Sequence, residues 1–178
     1  MVDKDHVRQQ VLNHFNLTGT LDIDDEGRAN VNGNATLVAT VTQLPVTFGA
    51  VTGSFNCANR GLTTLMGAPR EVGQVFDCKF NRLTTLESGP LKVGSYNSIG
   101  NPLTNLNGLA TAIKDHVQFS YDRSLPLLRT LVARLIWPYP DQIKLEAILN
   151  KYAGQGQSAA LACAAELADA GFKANAQW

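Results

Sequence analysis

The chain is 178 residues long, and fifteen Lys and Arg residues balance fifteen Asp and Glu, so only 17% of it is charged. That balance argues against the basic face needed to read nucleic-acid phosphates or an acidic membrane. The length suffices for a domain that buries roughly 70% of its unfolded surface without staples, and three cysteines are too few and too odd in number for a secreted disulfide framework.

The start, MVDKDHVRQQ, is charged and lacks the apolar core of a signal peptide, and no run of about 18 apolar residues follows, so a soluble cytoplasmic protein is expected. Asp5 is placed to cap a first helix whose Val7, Val11 and Phe15 share one face. LDIDDEGRANVNG, from Leu21 onward, then reads as a hairpin turning at Glu26 and Gly27. Residues 1–30 are thus expected to form an N-terminal helix and hairpin cap.

Residues 31–112 read as repeats. Val51, Val72 and Val93 head three copies spaced 21 residues apart. In each copy an aromatic (Phe55, Phe76, Tyr96) is followed two residues later by Cys57, Cys78 or Ser98, then by a leucine pair: Leu62 and Leu65, Leu83 and Leu86, Leu103 and Leu106. A fainter copy precedes them, with Val31 at its head, Ala35 and Leu37 in the aromatic and cysteine places, and Val41 and Leu44 as the pair. VxGxFxC alternates with period two, as a half-buried strand does. Asn81 and Asn101 follow the strand and can offer their amides to the backbone as a ladder. GAP and SGP supply turn residues. One unit cannot bury its own apolar face, so neighbours must stack.

Stacking leaves unpaired edges and an apolar cross-section, which residues 113–178 are expected to close with three helices. SLPLLRTLVARLIW predicts the first, from about Ser124, with Pro126 in its first turn and an end at Pro138 and Pro140. The second follows Asp141, with Leu145, Ile148, Leu149 and Tyr152 on one stripe. A third runs from about Ser158 to Gly171, with Leu161, Ala164, Ala165 and Ala168 as a small-residue packing face. The fold class read from these elements is an α/β repeat: a short leucine-rich-repeat solenoid with a parallel β-sheet, capped at both ends.

The pattern F-x-C-x-x-N-x-L-T-x-L-x-G-A-P resembles the short leucine-rich repeats, about 20 to 22 residues long, of a family of small bacteriophage proteins built from NFxCxxNxLTSLxGAPxxVGG units. VNGNATL and LPVTFGAVTGSF resemble that family's lead-in, and LPLLRTL and KYAGQGQSAALACAAELADAGFKANAQW its closing helices. The resemblance therefore covers roughly residues 20–178. It departs at Asn59 and Arg60, which disrupt the asparagine position of the first full copy, and at Ser98, which replaces cysteine. It implies a bacteriophage protein at work in the host cytoplasm.

The residues that could carry chemistry have plainer roles. Cys57 and Cys78 share an inward column, where packing is expected. A metal site there would need two further ligands, and neither repeat holds a histidine. Some bacterial leucine-rich-repeat effectors carry a ubiquitin-ligase domain with a catalytic cysteine. Cys163, however, lies in ALACAAELA, mid-helix, with no cation or helix N-terminus to activate it. Asp22, Asp24, Glu26 and Gly27 open like a calcium loop, but the twelfth position is Gly33 rather than a bidentate glutamate. AGQGQS lacks the lysine and preceding strand of a phosphate loop, and His6, His14 and His116 are scattered. No catalytic residue, cofactor or metal is expected.

What remains is the outward side of the strands, where such folds usually bind. Alternation places Ser54, Asn56 and Ala58 there, then Val75, Asp77 and Lys79, then Ser95, Asn97 and Ile99, with Arg60 and Phe80 just beyond. Asn56, Ala58, Arg60, Asp77, Lys79, Phe80, Asn97 and Ile99 are the expected protein-binding residues, on a face of about 600 to 800 Å². The expected function is a non-catalytic interaction module that docks a host or phage protein and modulates it. Three alternatives stand beside it: binding through the C-terminal helices and Trp178, a cysteine enzyme using Cys163, and self-assembly through exposed edges.

Overall fold

The structure, a computed structural model, describes residues 2–178. Its strands join in one continuous sheet that coils as an α/β repeat solenoid, with two parallel columns built by the alternation seen in the repeats. In the first column β3 (Ala29–Asn32), β5 (Phe48–Val51), β7 (Glu71–Asp77), β8 (Lys92–Asn97) and β9 (Ala112–Ile113) stack with Val31, Val51, Val72, Val93 and Ile113 in line. In the second, β4 (Ala35–Leu37), β6 (Phe55–Asn56), β7, β8, β10 (His116–Ser120) and β11 (Leu135–Tyr139) stack with Ala35, Phe55, Phe76, Tyr96, Val117 and Ile136 in line. The faint copy headed by Val31 is therefore a full rung.

The repeat array does not end at residue 112. β10 and β11 extend the second column by two rungs, and the helix expected over SLPLLRTLVARLIW is instead a 3₁₀ turn, Leu128–Val132, followed by β11. The physical reason lies in the neighbour: β10 presents an open parallel edge, and satisfying its backbone groups outweighs the helical spacing of the leucines. Ile136 turns its N–H outward, away from β10, to Asn150. Pro138, two residues on, has its missing donor on that same outer side, so the ladder loses nothing.

Inward side chains make one core. An aromatic spine runs through it: Phe48 packs edge-on against both Phe15 and Phe55 at 4.9 and 5.1 Å, Phe55 stacks on Phe76 at 5.8 Å, and Phe76 meets Tyr96 at 5.1 Å. The pairs Leu62 and Leu65, Leu83 and Leu86, and Leu103 and Leu106 close the far side of each turn, all buried. Tyr96 carries its hydroxyl into space kept free at Gly89, where a Cβ would lie 2.9 Å from that oxygen.

Asparagines tie rung to rung. The Asn81 amide donates to the carbonyls of Cys57 and Cys78, both at 2.9 Å, and its oxygen accepts from the N–H groups of Arg60 and Leu62. Asn101 repeats the pattern one rung later, donating to Cys78 and Ser98 and accepting from Leu83. The cysteine position also has a bonding role. Cys78 Sγ donates to the Asn97 carbonyl at 3.4 Å and Ser98 Oγ to that of Gln118 at 3.1 Å, so serine replaces cysteine without loss of the contact.

Each end is closed differently. At the N-terminal end β1 (Phe15–Leu17) and β2 (Thr20–Ile23) run antiparallel to β4 and β3, covering both columns of the first rung. Helix α1 (Lys4–His14) lies beside them with Val11 buried; its cap is Asp3, which accepts from the His6 N–H, rather than Asp5. At the C-terminal end α2 (Ile143–Tyr152) buries Leu145, Ile148 and Leu149 as its stripe requires. Asn150, on α2, accepts from the Ile136 N–H at 2.8 Å and donates to the Ile136 carbonyl at 2.9 Å, standing in for a missing next strand. Helix α3 (Ala160–Asp169) packs through Cys163 and Leu167, with Ala164 partly buried. Leu161, Ala165 and Ala168, expected on its packing face, are exposed. Gly171 ends the helix at φ 93°, as a left-handed cap.

Candidate functional site

Outward residues of the second column form three rows across the rungs. Asn56, Asp77, Asn97, Gln118 and Trp137 align in the central row. The row toward the strand starts holds Ser54, Val75, Ser95, His116 and Leu135. Toward the strand ends lie Ala58, Lys79, Ile99, Ser120 and Tyr139. Phe80 follows just outside and is exposed, whereas Arg60, expected beside the face, stands at the inward ladder-asparagine position of its rung and is half-buried.

The central row has a backbone duty as well as exposure. Asn56 Oδ1 accepts from the Ala58 N–H, Asp77 Oδ1 from Lys79 and Asn97 Oδ1 from Ile99, each two residues on. These repeated Asx turns steer the chain out of the strand. Asp77 Oδ2 also pairs with Lys79 Nζ at 3.1 Å. The side-chain amide nitrogens of Asn56 and Asn97 donate no hydrogen bond among the described residues.

The next turn of backbone is left-handed in the three rungs headed by Val51, Val72 and Val93: φ is 56° at Asn59, 54° at Phe80 and 73° at Gly100. Asparagine and glycine adopt that conformation readily, whereas an aromatic does so at a cost. Phe80 nonetheless sits there, 55% exposed. Its ring lies over Gly100, where a Cβ would come within 2.2 Å of it. Arg60 occupies the ladder-asparagine position of its rung. It is half-buried, with Nη1 donating to the Val38 carbonyl and Nε buried without a partner.

The face changes character along the stack, from polar at its first rungs to aromatic at its last. Trp137 and Tyr139 on β11 are 38% and 58% exposed, and period two puts both on the outward side. His116 on β10 stacks on Trp137 with ring centroids 4.5 Å apart and also contacts Asp115 and Ser95, so Ser95 is buried rather than outward in effect. Beside this corner lies a groove of about 340 Å³, lined by Ile99, Gln118, Trp137 and Tyr139 on the sheet side and by Asp141 and Glu146 on the other. Neither Trp137 nor Tyr139 stands out in the sequence: Trp137 closes a segment with helical leucine spacing, and Tyr139 lies between Pro138 and Pro140, which read as the end of that helix. The alternation in LIWPY, with Ile136 and Pro138 buried between exposed neighbours, was the signal that could have found them.

The other candidates stay apart. Burial pushes the Cys57 and Cys78 thiols up, and burial with the nearby Glu166 carboxylate raises that of Cys163 to about 11, so all three are poor nucleophiles at neutral pH. In DIDDEG, Asp24 is held down at about 2 by hydrogen bonds from the Arg28 backbone and guanidinium, and Arg28 also pairs with Glu26, so these acids brace the hairpin turn. AGQGQS is a linker into α3 through a 3₁₀ turn, Gly156–Ala159. Among the described residues no three His, Cys, Asp or Glu side chains converge as metal ligands, and no helix is long and apolar enough to cross a membrane.

These features define a capped parallel β-solenoid with an aromatic end to its strand face. No protein-family profile, no curated protein and no solved structure matches the chain.

Proposed function

We propose that this protein is a non-catalytic interaction module that docks a partner protein on the strand face of its second column. One observation carries the reading: Phe80, Ile99, Trp137 and Tyr139 gather on one side of a rigid ladder whose other outward positions are mostly polar. Exposed aromatics on a fixed scaffold are the residue types that anchor interfaces. Phe80 adds a second argument, since strained backbone persists where function requires it. The resemblance to small bacteriophage repeat proteins supplies the setting we propose: a host cytoplasm, with a host or phage protein as the partner and modulation of its activity as the outcome.

The test is affinity purification from infected cells with the wild-type chain, Lys79→Glu/Phe80→Ala and Trp137→Ala/Tyr139→Ala as parallel baits. A partner recovered with wild type and lost with both double variants, at thermal stabilities within about 1 kcal/mol of wild type, is the expected result. Recovery unchanged by both removes the strand face as the site. Loss only after deletion of residues 173–178, with the fold intact although buried Asn175 and its bonds to Asp122 and Leu125 go with them, would assign binding to the C-terminal tail.

A further inference from the structure

We infer that the groove beside the last rung receives an arginine side chain of the partner, an inference that rests on the strand-face reading. The groove joins two kinds of wall. On the sheet side Trp137 and Tyr139, about 7 Å apart along one strand, line it with two aromatic side chains. His116 stacks on the indole of Trp137 from the neighbouring strand and steadies it. On the other side stand Asp141 and Glu146, at the start of α2.

Neither carboxylate enters an ion pair among the described residues. No Lys or Arg lines the groove. Lys79, on the same face, is paired with Asp77, and Lys144, on α2, is turned to the Ala170 carbonyl. The groove therefore offers two negative charges and two aromatic rings with no internal cation to neutralise them.

A guanidinium satisfies both walls at once. It stacks flat on indole and phenol rings, and its fork donates to carboxylates in two parallel hydrogen bonds. A purely apolar side chain would leave the carboxylates facing it unpaired and desolvated, which opposes binding. An uncharged sugar could stack on the rings but would gain nothing from the charges.

The decisive measurement uses the full chain labelled with ¹⁵N and two capped pentapeptides, Gly-Ala-Arg-Ala-Gly and its citrulline counterpart, which is neutral and nearly the same shape. The indole N–H signals of Trp137 and Trp178 are followed separately. The arginine peptide is expected to shift the Trp137 signal saturably, at least tenfold more tightly than the citrulline peptide, with Trp178 unmoved. Asp141→Asn/Glu146→Gln should erase that preference. An equal response to both peptides, or none to either, overturns the inference. The strand-face reading is judged separately: if Trp137→Ala/Tyr139→Ala loses the partner while Asp141→Asn/Glu146→Gln keeps it, the face stands and the arginine site falls.

Discussion

Phe80 shows how one residue can be read against its equivalents. Asn59 and Gly100 hold the same left-handed place in the flanking rungs, so the backbone does not require an aromatic there. Left-handed backbone costs a residue such as phenylalanine about 1 to 2 kcal/mol, offset in part by the ring's seat over Gly100. Phe80→Asn should therefore leave stability within about 1 kcal/mol of wild type in urea denaturation while weakening partner binding at least tenfold. A stability loss above about 2 kcal/mol would make the ring a structural residue instead. Cys78 and Ser98 show the opposite case. Their positions differ in element and agree in action, each donating to the carbonyl of the next rung.

Among the elements, the turn after each strand depends on its asparagine. Asn81→Ala would strip partners from buried backbone groups of Cys57, Cys78, Arg60 and Leu62, and we expect a loss of about 2 to 4 kcal/mol. Thr84→Ala, at an exposed site in the same repeat, should cost well under 1 kcal/mol, about the level of an ordinary surface change. Chemical denaturation of the two variants makes the comparison. The rungs from Val31 to Leu106 were legible because aromatic, cysteine and leucine recur at fixed offsets, and each recurrence has a packing reason. β10 and β11 were not. Val117 and Phe119 keep the alternation but drop the aromatic–cysteine pair, and in β11 Ile136 and Pro138 take those places. Leu125, Leu128 and Leu131, just upstream, have a spacing that suits a helix. What decided the outcome was the open edge of β10, which no local pattern encodes. The candidate face was legible to the same extent: Asn56, Asp77, Lys79, Phe80, Asn97 and Ile99 fell where alternation put them, and the aromatic corner was lost with its strand.

In the molecule as a whole, the two ends of the ladder are closed by unlike means. Paired antiparallel strands seal the first rung, whereas at the last the Ile136 backbone is met by one side chain, Asn150, with the Gly154 N–H bonded to the Ala133 carbonyl just before β11. Asn150→Ala should leave the Ile136 N–H and carbonyl open to water, cost about 1 to 3 kcal/mol, and speed amide exchange at Ile136 while Phe55 and Phe76 stay protected. Equal exchange at all three would mean that the ladder opens as one unit. The pleat has a different consequence for descent. Because each outward side chain is separated from the core by the backbone itself, Ala58, Lys79, Ile99 and Tyr139 can change without touching the spine of Phe55, Phe76 and Tyr96, whereas Asn56, Asp77 and Asn97 are bound to their turns and Ser120 Oγ accepts the Gly100 N–H. A lineage could thus rewrite its contact surface one rung at a time against a partner that is itself changing, with the fold held constant beneath it.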